Sequence, residues 1–417
     1  MLKKRIHRLW DSKVNRIFAA FWMTMTLALS ASTFASDEAN VEINNLNQLA
    51  QHDSPPEVFD RTENKGGIDS LYFSGEPYQG KSTRIFSYYK APEGEGPFPA
   101  VVLVHGGGGS AYQTWVKKWN EAGFAALAIA VEGQTGTQIN KRPPNKWQKH
   151  QWAGPSRQGI YEDTNKPLLE QWMYHASSAV IKGHNLLRSF DEINPEQIGL
   201  SGISWEGVLT STVIGFDQRF AFAIPIYGSG FLDSMENQYR KALKNNESYR
   251  NIWEPALRID KFNQPTLWIT GLKESHFSLD AQASTYKLLN SHYQSIQPNL
   301  KHNHPAAWTV VEAYEFARAI IHDKPLPIFS NQSVKENKVS IEYKYTDKPR
   351  KATLYYTQDQ GHTFKRWWHT IPVDIKPTGN KLILSTKLPQ ATTAWLFNIE
   401  QNGFIYSSEF SERSVAE

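Results

Sequence analysis

The sequence predicts an α/β fold: a doubly wound, mostly parallel sheet wrapped by helices, followed by a small all-β sandwich. Three observations predict it. Fully apolar runs such as Ala100–Val104 and Phe124–Val131 alternate with amphipathic helical segments, the texture of a parallel sheet covered on both faces. A short strand at Ile198–Leu200 passes through Gly202-Ile203-Ser204 straight into a helical stretch, Trp205–Ile214. Past Pro325 and Pro327 the pattern changes to short alternating runs divided by turn residues.

In chain order, Lys3, Lys4, Arg5, Arg8, Lys13 and Arg16 precede an apolar run, Ile17–Leu29, and then Thr33-Phe34-Ala35, with small residues at the −3 and −1 positions. This is the layout of a cleaved export signal over residues 1–35, which leaves no stable membrane span and places the mature chain in the periplasm or outside the cell. Its removal takes away six basic residues and one acidic one, so a net charge of +4 becomes −1. The basic balance therefore belongs to the signal, and no basic stripe remains to suggest nucleic acid as a partner. Residues 36–70 begin with a polar stretch, Ser36–Pro56, read as a loose arm.

The body of the α/β part spans 71–323. Leu71–Phe73 and Ser82–Lys90 read as strands, and Pro92–Pro99 as a turn cluster. Ala100–Val104 is a buried strand ending in His105-Gly106-Gly107-Gly108-Gly109. Tyr112–Ala122 is helical, Phe124–Val131 is a strand, and 132–167 reads as a long irregular insert, the kind that tends to lie near a site. Leu168–Phe190 is a long helix, Phe220–Tyr227 and Thr266–Thr270 are strands, and Ala281–Leu289 and Trp308–His322 are helices. Residues 324–417 form the sandwich, with strands at Val339–Tyr345, Ala352–Tyr356, Lys381–Leu384 and Thr393–Phe397. A chain of 417 residues suits two domains, and with no cysteine it has neither disulfides, nor thiol nucleophiles, nor cysteine-zinc sites. Aromatic residues make up 13%, including 14 Trp; any left on the surface would suit flat, amphipathic ligands such as sugars.

The chemistry centres on Ser204. A serine at a sharp strand-to-helix turn, with glycine two residues before it, is a nucleophile-elbow pattern, and the following helix aims its N-terminal N–H groups at the hydroxyl. The full pattern has glycine two residues after the serine; here that position is Glu206, and glycine follows at Gly207. A serine nucleophile needs a base, an acid that orients the base, and donors for the developing oxyanion. Glu274, just beyond the Thr266–Thr270 strand, is the expected acid, with Asp280 as alternative. His304 is the expected base, with His302, two residues earlier in the same loop, as alternative. Trp205 and the glycines of His105–Gly109, chiefly Gly106 and Gly107, are the expected backbone donors. The His-x-His pair has no third ligand cluster, so no metal is expected, and the glycine run lacks the Lys-Ser/Thr of a nucleotide loop.

Together, Leu103–Gly109, Ile198–Trp205, Ala223–Gly228 and the His302–Trp308 loop resemble the α/β-hydrolase superfamily. More closely, they are similar to exported enzymes of the acetyl-xylan-esterase, dienelactone-hydrolase and prolyl-oligopeptidase group. The resemblance spans about residues 80–323 and implies Ser204 as nucleophile, Glu274 as acid and His304 as base, with no cofactor. It implies a carboxylic-ester hydrolase acting on a small-molecule or carbohydrate ester. A prolyl-oligopeptidase-type peptidase and a non-catalytic binding protein on the same scaffold are the alternatives; this sequence has no repeat array of the kind a gating propeller would give, which counts against the first, and Glu206 with the β-rich C-terminal module motivates the second.

Overall fold

A computed structural model of the chain describes residues 43–64, 66–140, 146–345 and 349–413. The expected export signal, residues 1–35, lies outside these residues. Residues 43–51, expected within a loose arm, are helical; Leu46, Leu49 and Ala50 recur at the three- and four-residue spacing of an apolar helix stripe. The arm also contributes a strand, β1 (Val58–Asn64), paired antiparallel with β2 (Ile68–Ser74).

From residue 49 onward the chain is one compact unit. Its centre is a sheet that runs through β1, β2, β3 (Arg84–Lys90), β5 (Ala125–Ile129), β4 (Phe98–Val104), β8 (Ile193–Ile203), β9 (Phe222–Ile226), β10 (Thr266–Gly271) and β11 (His292–Gln297) in that order. The first three strands are antiparallel, and the six from β5 to β11 are parallel. The middle strands are apolar along their length because helices cover both faces. Every residue of β5, β9 and β10 is buried, so alternation disappears and a continuous hydrophobic run replaces it. The principal helices are α1 (Gln113–Glu121), α2 (Trp172–Arg188), α3 (Trp205–Val213), α4 (Gln238–Leu243), α5 (Leu279–Tyr286), α6 (His304–Trp308) and α7 (Val311–Ile321). Among the described residues no helix is long and apolar enough to cross a membrane.

Two expectations change. The 132–167 insert is not wholly irregular: β6 (Gln134–Asn140) and β7 (Lys146–Lys149) pair as an antiparallel ribbon. The strand before the elbow begins five residues earlier than its apolar stretch indicates, since its polar first half, Ile193–Gln197, pairs only at its edge. The strand β11, His-Tyr-Gln-Ser-Ile-Gln, has too polar a sequence to stand out, yet it pairs in register with β10 over six residues.

The C-terminal region is two antiparallel layers. β12 (Ile328–Lys335), β13 (Lys338–Lys344), β17 (Lys381–Lys387) and β16 (Asp374–Thr378) make one. β14 (Lys351–Thr357), β15 (His369–Pro372), β18 (Ala394–Gln401), β19 (Phe404–Ser407) and β20 (Ser411–Glu412) make the other. Val339, Ile341 and Tyr343, alternate residues of β13, meet Leu354, Leu382, Leu384, Phe397 and Ile399 in a core between the layers. This region is not strung on a linker. β19 pairs with β11 at Gln294 and Ser407, the Ser407 hydroxyl accepts from the Ile296 N–H at 2.8 Å, and Asn398 donates to the Ile296 carbonyl at 2.9 Å. The central sheet therefore continues into the sandwich.

A buried ionic cluster ties α2 to the turn after α3. Asp217 accepts from His184 Nδ1 at 2.8 Å and from Arg219 at 2.7 and 2.8 Å, and the His184 ring stacks on Phe220 at 3.9 Å. Burial raises the Asp217 carboxyl, but His184 and Arg219 outweigh it and hold the group well below the usual range. His184 thereby has a structural role, bonded to Asp217 and stacked on Phe220. Asp217→Ala is expected to cost about 3–5 kcal/mol in urea unfolding at pH 7, because it leaves buried donors uncompensated. A depressed carboxyl stabilises above its unfolded value near 3.8 and loses that contribution as pH falls. The deficit of the variant should therefore narrow when the same melts are run below that pH.

Candidate active site

The carboxyl ends of neighbouring parallel strands deliver the site. Val104 of β4 lies opposite Gly202 of β8, so the His105–Gly109 loop and the Ser204 turn emerge side by side. The segments leaving β9, β10 and β11 carry Tyr227, Glu274 and His302 in turn. This is where open α/β sheets place ligands, since the loops leave the strands toward a common edge.

Ser204 sits at φ 60°, ψ −118°, a strained conformation for a residue with a Cβ. The turn is held from both sides. The Ser204 N–H donates to the Ile226 carbonyl at 2.8 Å, and the N–H groups of Gly207 and Val208 donate back to the Ser204 carbonyl at 2.9 and 3.1 Å. Gly202 is required by close approach: a Cβ there would lie 2.1 Å from the Glu206 carbonyl oxygen. Gly207 likewise lets α3 pack on the end of β9, where a Cβ would meet the Gly228 nitrogen at 2.8 Å. The elbow forms with glutamate at 206, whose side chain is fully buried.

Ser204, His302 and Glu274 are joined. The Ser204 hydroxyl lies 2.9 Å from His302 Nε2, and His302 Nδ1 donates to Glu274 Oε2 at 2.8 Å. Glu274 is almost wholly buried, and its other oxygen accepts the N–H groups of His276 and Phe277 at 2.7 and 3.4 Å. Both carboxylate oxygens are thus held, and the acceptor facing His302 fixes a proton on Nδ1, leaving Nε2 to face the serine. Tyr227 stacks on the His302 ring at 4.5 Å and donates its hydroxyl to the Lys301 carbonyl at 2.7 Å, so the loop and the ring are braced together.

His304, the expected base, is elsewhere. It opens α6 behind the Asn303 cap, and its Nε2 accepts the Gly106 N–H at 2.8 Å. Burial pushes it down to about 4, which keeps the ring neutral and its lone pair committed to the glycine loop. The same bond uses the Gly106 N–H, so of the expected oxyanion donors the geometry leaves Gly107 and Trp205. The two residues are neighbours: a Cβ on Gly107 would stand 3.2 Å from the Trp205 ring. The Trp205 N–H is at the first turn of α3 and has no partner within the helix. Asp280, the alternative acid, is in the first turn of α5 and has no contact with His302.

Buried ionisable side chains sit behind the turn. Glu206 is fully buried; His105 Nδ1 stands 3.5 Å from its Oε1, and no hydrogen-bond donor is in place for either oxygen. Burial, and then the Glu132 carboxylate, push Glu206 well above the ordinary glutamate range, although Arg157 opposes this. Both effects favour the uncharged carboxyl. His105 is pushed down to about 3 by burial, and its Nε2 accepts the Val131 N–H at 3.2 Å, which leaves the proton on Nδ1 toward Gly106 O at 2.9 Å. Arg157, from the insert, lies over the Trp205 ring at 4.7 Å and 3.6 Å from Glu132. Nothing in the sequence of the 132–167 insert distinguishes Arg157 from its neighbours. Trp147, of the same insert, donates its indole N–H to the Gly108 carbonyl at 3.0 Å and edges against Tyr112, which braces the glycine loop from outside.

Residues 43–265 match the acetyl xylan esterase (AXE1) family, more than half of the chain. Among solved structures, an acetyl xylan esterase from Paenibacillus sp. R4 superposes with a TM-score of 0.52 at 18% identity, over 67% of this chain and 92% of that one. Acetyl xylan esterase 1 from Thermoanaerobacterium sp. JW/SL YS485 gives 0.52 at 17% identity, over 68% and 93%. The α/β-hydrolase fold is common to all of them. The chain belongs to the acetyl xylan esterase family and is a carboxylic-ester hydrolase.

Proposed function

We propose that this chain is an exported serine esterase that removes acyl groups from carbohydrate, with Ser204 as nucleophile, His302 as base and Glu274 as its orienting acid. The observation that carries the reading is the unbroken Ser204–His302–Glu274 relay on a strained strand-to-helix turn. Substrate class rests on the family match and on the xylan named for the two solved relatives. Export to the periplasm or beyond rests on the basic, apolar and small-residue order of residues 1–35.

In this reading the Ser204 oxygen attacks the ester carbonyl carbon while its proton passes to His302 Nε2. Charge on the former carbonyl oxygen is met by the N–H groups of Gly107 and Trp205. Glu274 stabilises the imidazolium that forms. Collapse breaks the bond to the alcohol, which takes the proton from His302 and leaves an acyl-Ser204. Water then repeats the sequence and releases the acid. Glu206 favours no alternative reading, since it faces His105 and not the hydroxyl.

Three outcomes are expected with 4-nitrophenyl acetate. Ser204→Ala and His302→Ala should each lower kcat by about 10⁴-fold or more, whereas His304→Ala should stay within about 100-fold of wild type, because it disturbs only the seating of the Gly106 loop. If the two histidines rank the other way, the assignment of the base is wrong. Glu274→Gln should cost about 10⁴-fold in kcat by favouring the wrong tautomer of His302.

Glu206 generates a stability prediction. A carboxyl raised in the folded state stabilises fully below its unfolded value near 4.5, and that contribution is lost as pH rises. Glu206→Gln, which keeps shape and neutrality, should therefore melt close to wild type at pH 4 and above it at pH 8. A Tm difference that does not grow with pH would contradict a neutral buried Glu206.

A further inference from the structure

A polar cavity of about 430 Å³ opens where the loop after β14 meets the loop that carries Glu274. Glu236, Ser278, Asp280, His362, Arg366 and Glu412 line it. Its walls are joined to the candidate catalytic relay. Lys273, beside Glu274, donates to the Arg366 carbonyl at 2.6 Å, and the Leu279 N–H donates to the Thr363 hydroxyl at 3.0 Å. Asn237 donates to the His276 carbonyl at 2.8 Å and stands 3.3 Å from His362 Nε2, while the His276 ring is 4.5 Å from that of His302.

Two features of this seam have no structural explanation. Ser278 and Arg366 are about 1% and 4% exposed, yet the Ser278 hydroxyl and Arg366 Nη1 have no hydrogen-bond partner, although buried polar groups are nearly always paired. Arg366 spends its other nitrogens on the Gly361 carbonyl at 2.7 Å and on Glu412 at 2.5 Å. Beside the cavity, the next residue, Trp367, is 68% exposed, and Phe364 on the same loop is 45% exposed. The Trp367 backbone is pinned by Asp359 at 2.5 Å, and Lys273 Nζ is 5.7 Å from its ring. An exposed indole one residue from a cavity-lining arginine, with buried donors left unpaired in that cavity's wall, is a ligand-binding arrangement rather than a packing one.

We propose that this seam binds neutral sugar residues of the chain that carries the ester, beyond the residue being deacylated; the proposal rests on the carbohydrate-esterase reading above. Three carboxylates in the wall, Glu236, Asp280 and Glu412, stand against two guanidinium groups, Arg366 and Arg413, so the wall offers hydrogen-bond acceptors and donors for sugar hydroxyls with no excess of positive charge for an anion. Ser278 and Arg366 donate to hydroxyl oxygens, and the Trp367 face covers the C–H side of a sugar ring. The C-terminal layers thereby supply part of the substrate cleft, which explains why their loop is bonded to the Glu274 loop and not merely adjacent to it.

The test compares acetylated xylo-, glucomanno- and chito-oligosaccharides of two to six residues with 4-nitrophenyl acetate, in the wild-type full chain and in Trp367→Ala and Ser278→Ala. The expected result is a kcat/KM that rises with chain length for at least one series. Trp367→Ala should lower the ratio of hexamer to 4-nitrophenyl acetate kcat/KM about tenfold, the loss of roughly one aromatic contact; Ser278→Ala, which removes only a hydroxyl, should lower it in the same direction. In parallel, the unsubstituted hexamers are titrated into Ser204→Ala protein with and without Trp367→Ala, read by tryptophan fluorescence and calorimetry. Chain-length independence together with no hexamer binding, or binding that survives Trp367→Ala unchanged, overturns the proposal. Absence of 4-nitrophenyl acetate turnover in the wild type instead defeats the serine-esterase reading, and the titration still decides the seam.

Discussion

The structure depends on the backbone of one residue. Ser204 is held at φ 60°, ψ −118° by a hydrogen bond to β9 on one side and by the first turn of α3 on the other. Such a conformation persists only where its surroundings over-determine it. Here Gly202 and Gly207 permit the necessary contacts, because each lies where a Cβ would collide with backbone. The strain lifts the hydroxyl to the sheet edge and places a helix N-terminus behind it.

Everything else in the site is referred to that point by the sheet. Parallel strands end at the same edge, so loops distant in sequence become neighbours without a long excursion. The glycine loop follows β4, Glu274 follows β10 and His302 follows β11, and the β4–β8 pairing puts the first beside Ser204. The ionisable groups buried behind the turn, Glu206 and His105, are each pushed toward the uncharged form. The α3 helix can thus carry a glutamate where the usual pattern has glycine, since that side chain points inward and the glycine needed for packing is supplied one residue later.

The C-terminal region is the other architectural consequence. Continuation of the central sheet through β11 and β19 fixes the sandwich against the catalytic edge, and its loop around His362 and Arg366 reaches the Glu274 loop. The α/β part and its second module therefore share one framework, with the module's loop hydrogen-bonded to the loop that carries Glu274.

Local pattern alone determined the parallel core, the elbow, the glycine loop, the change to short strands after Pro327 and the place of Glu274, because buried strands, a strand-turn-helix serine and an apolar period are written over a few adjacent residues. Polar strands escaped it: β11 and the β6–β7 ribbon have no hydrophobic signature, and pairing partners far away in sequence define them. The choice between His302 and His304 also belonged to tertiary structure. The two share one loop and one residue type, and the sequence offers no ground to separate them. Asn303 caps α6 and turns His304 toward Gly106, while Tyr227, arriving from β9, stacks on His302 and leaves it facing Ser204. Which ring meets the serine is set by strands and turns that no local stretch contains.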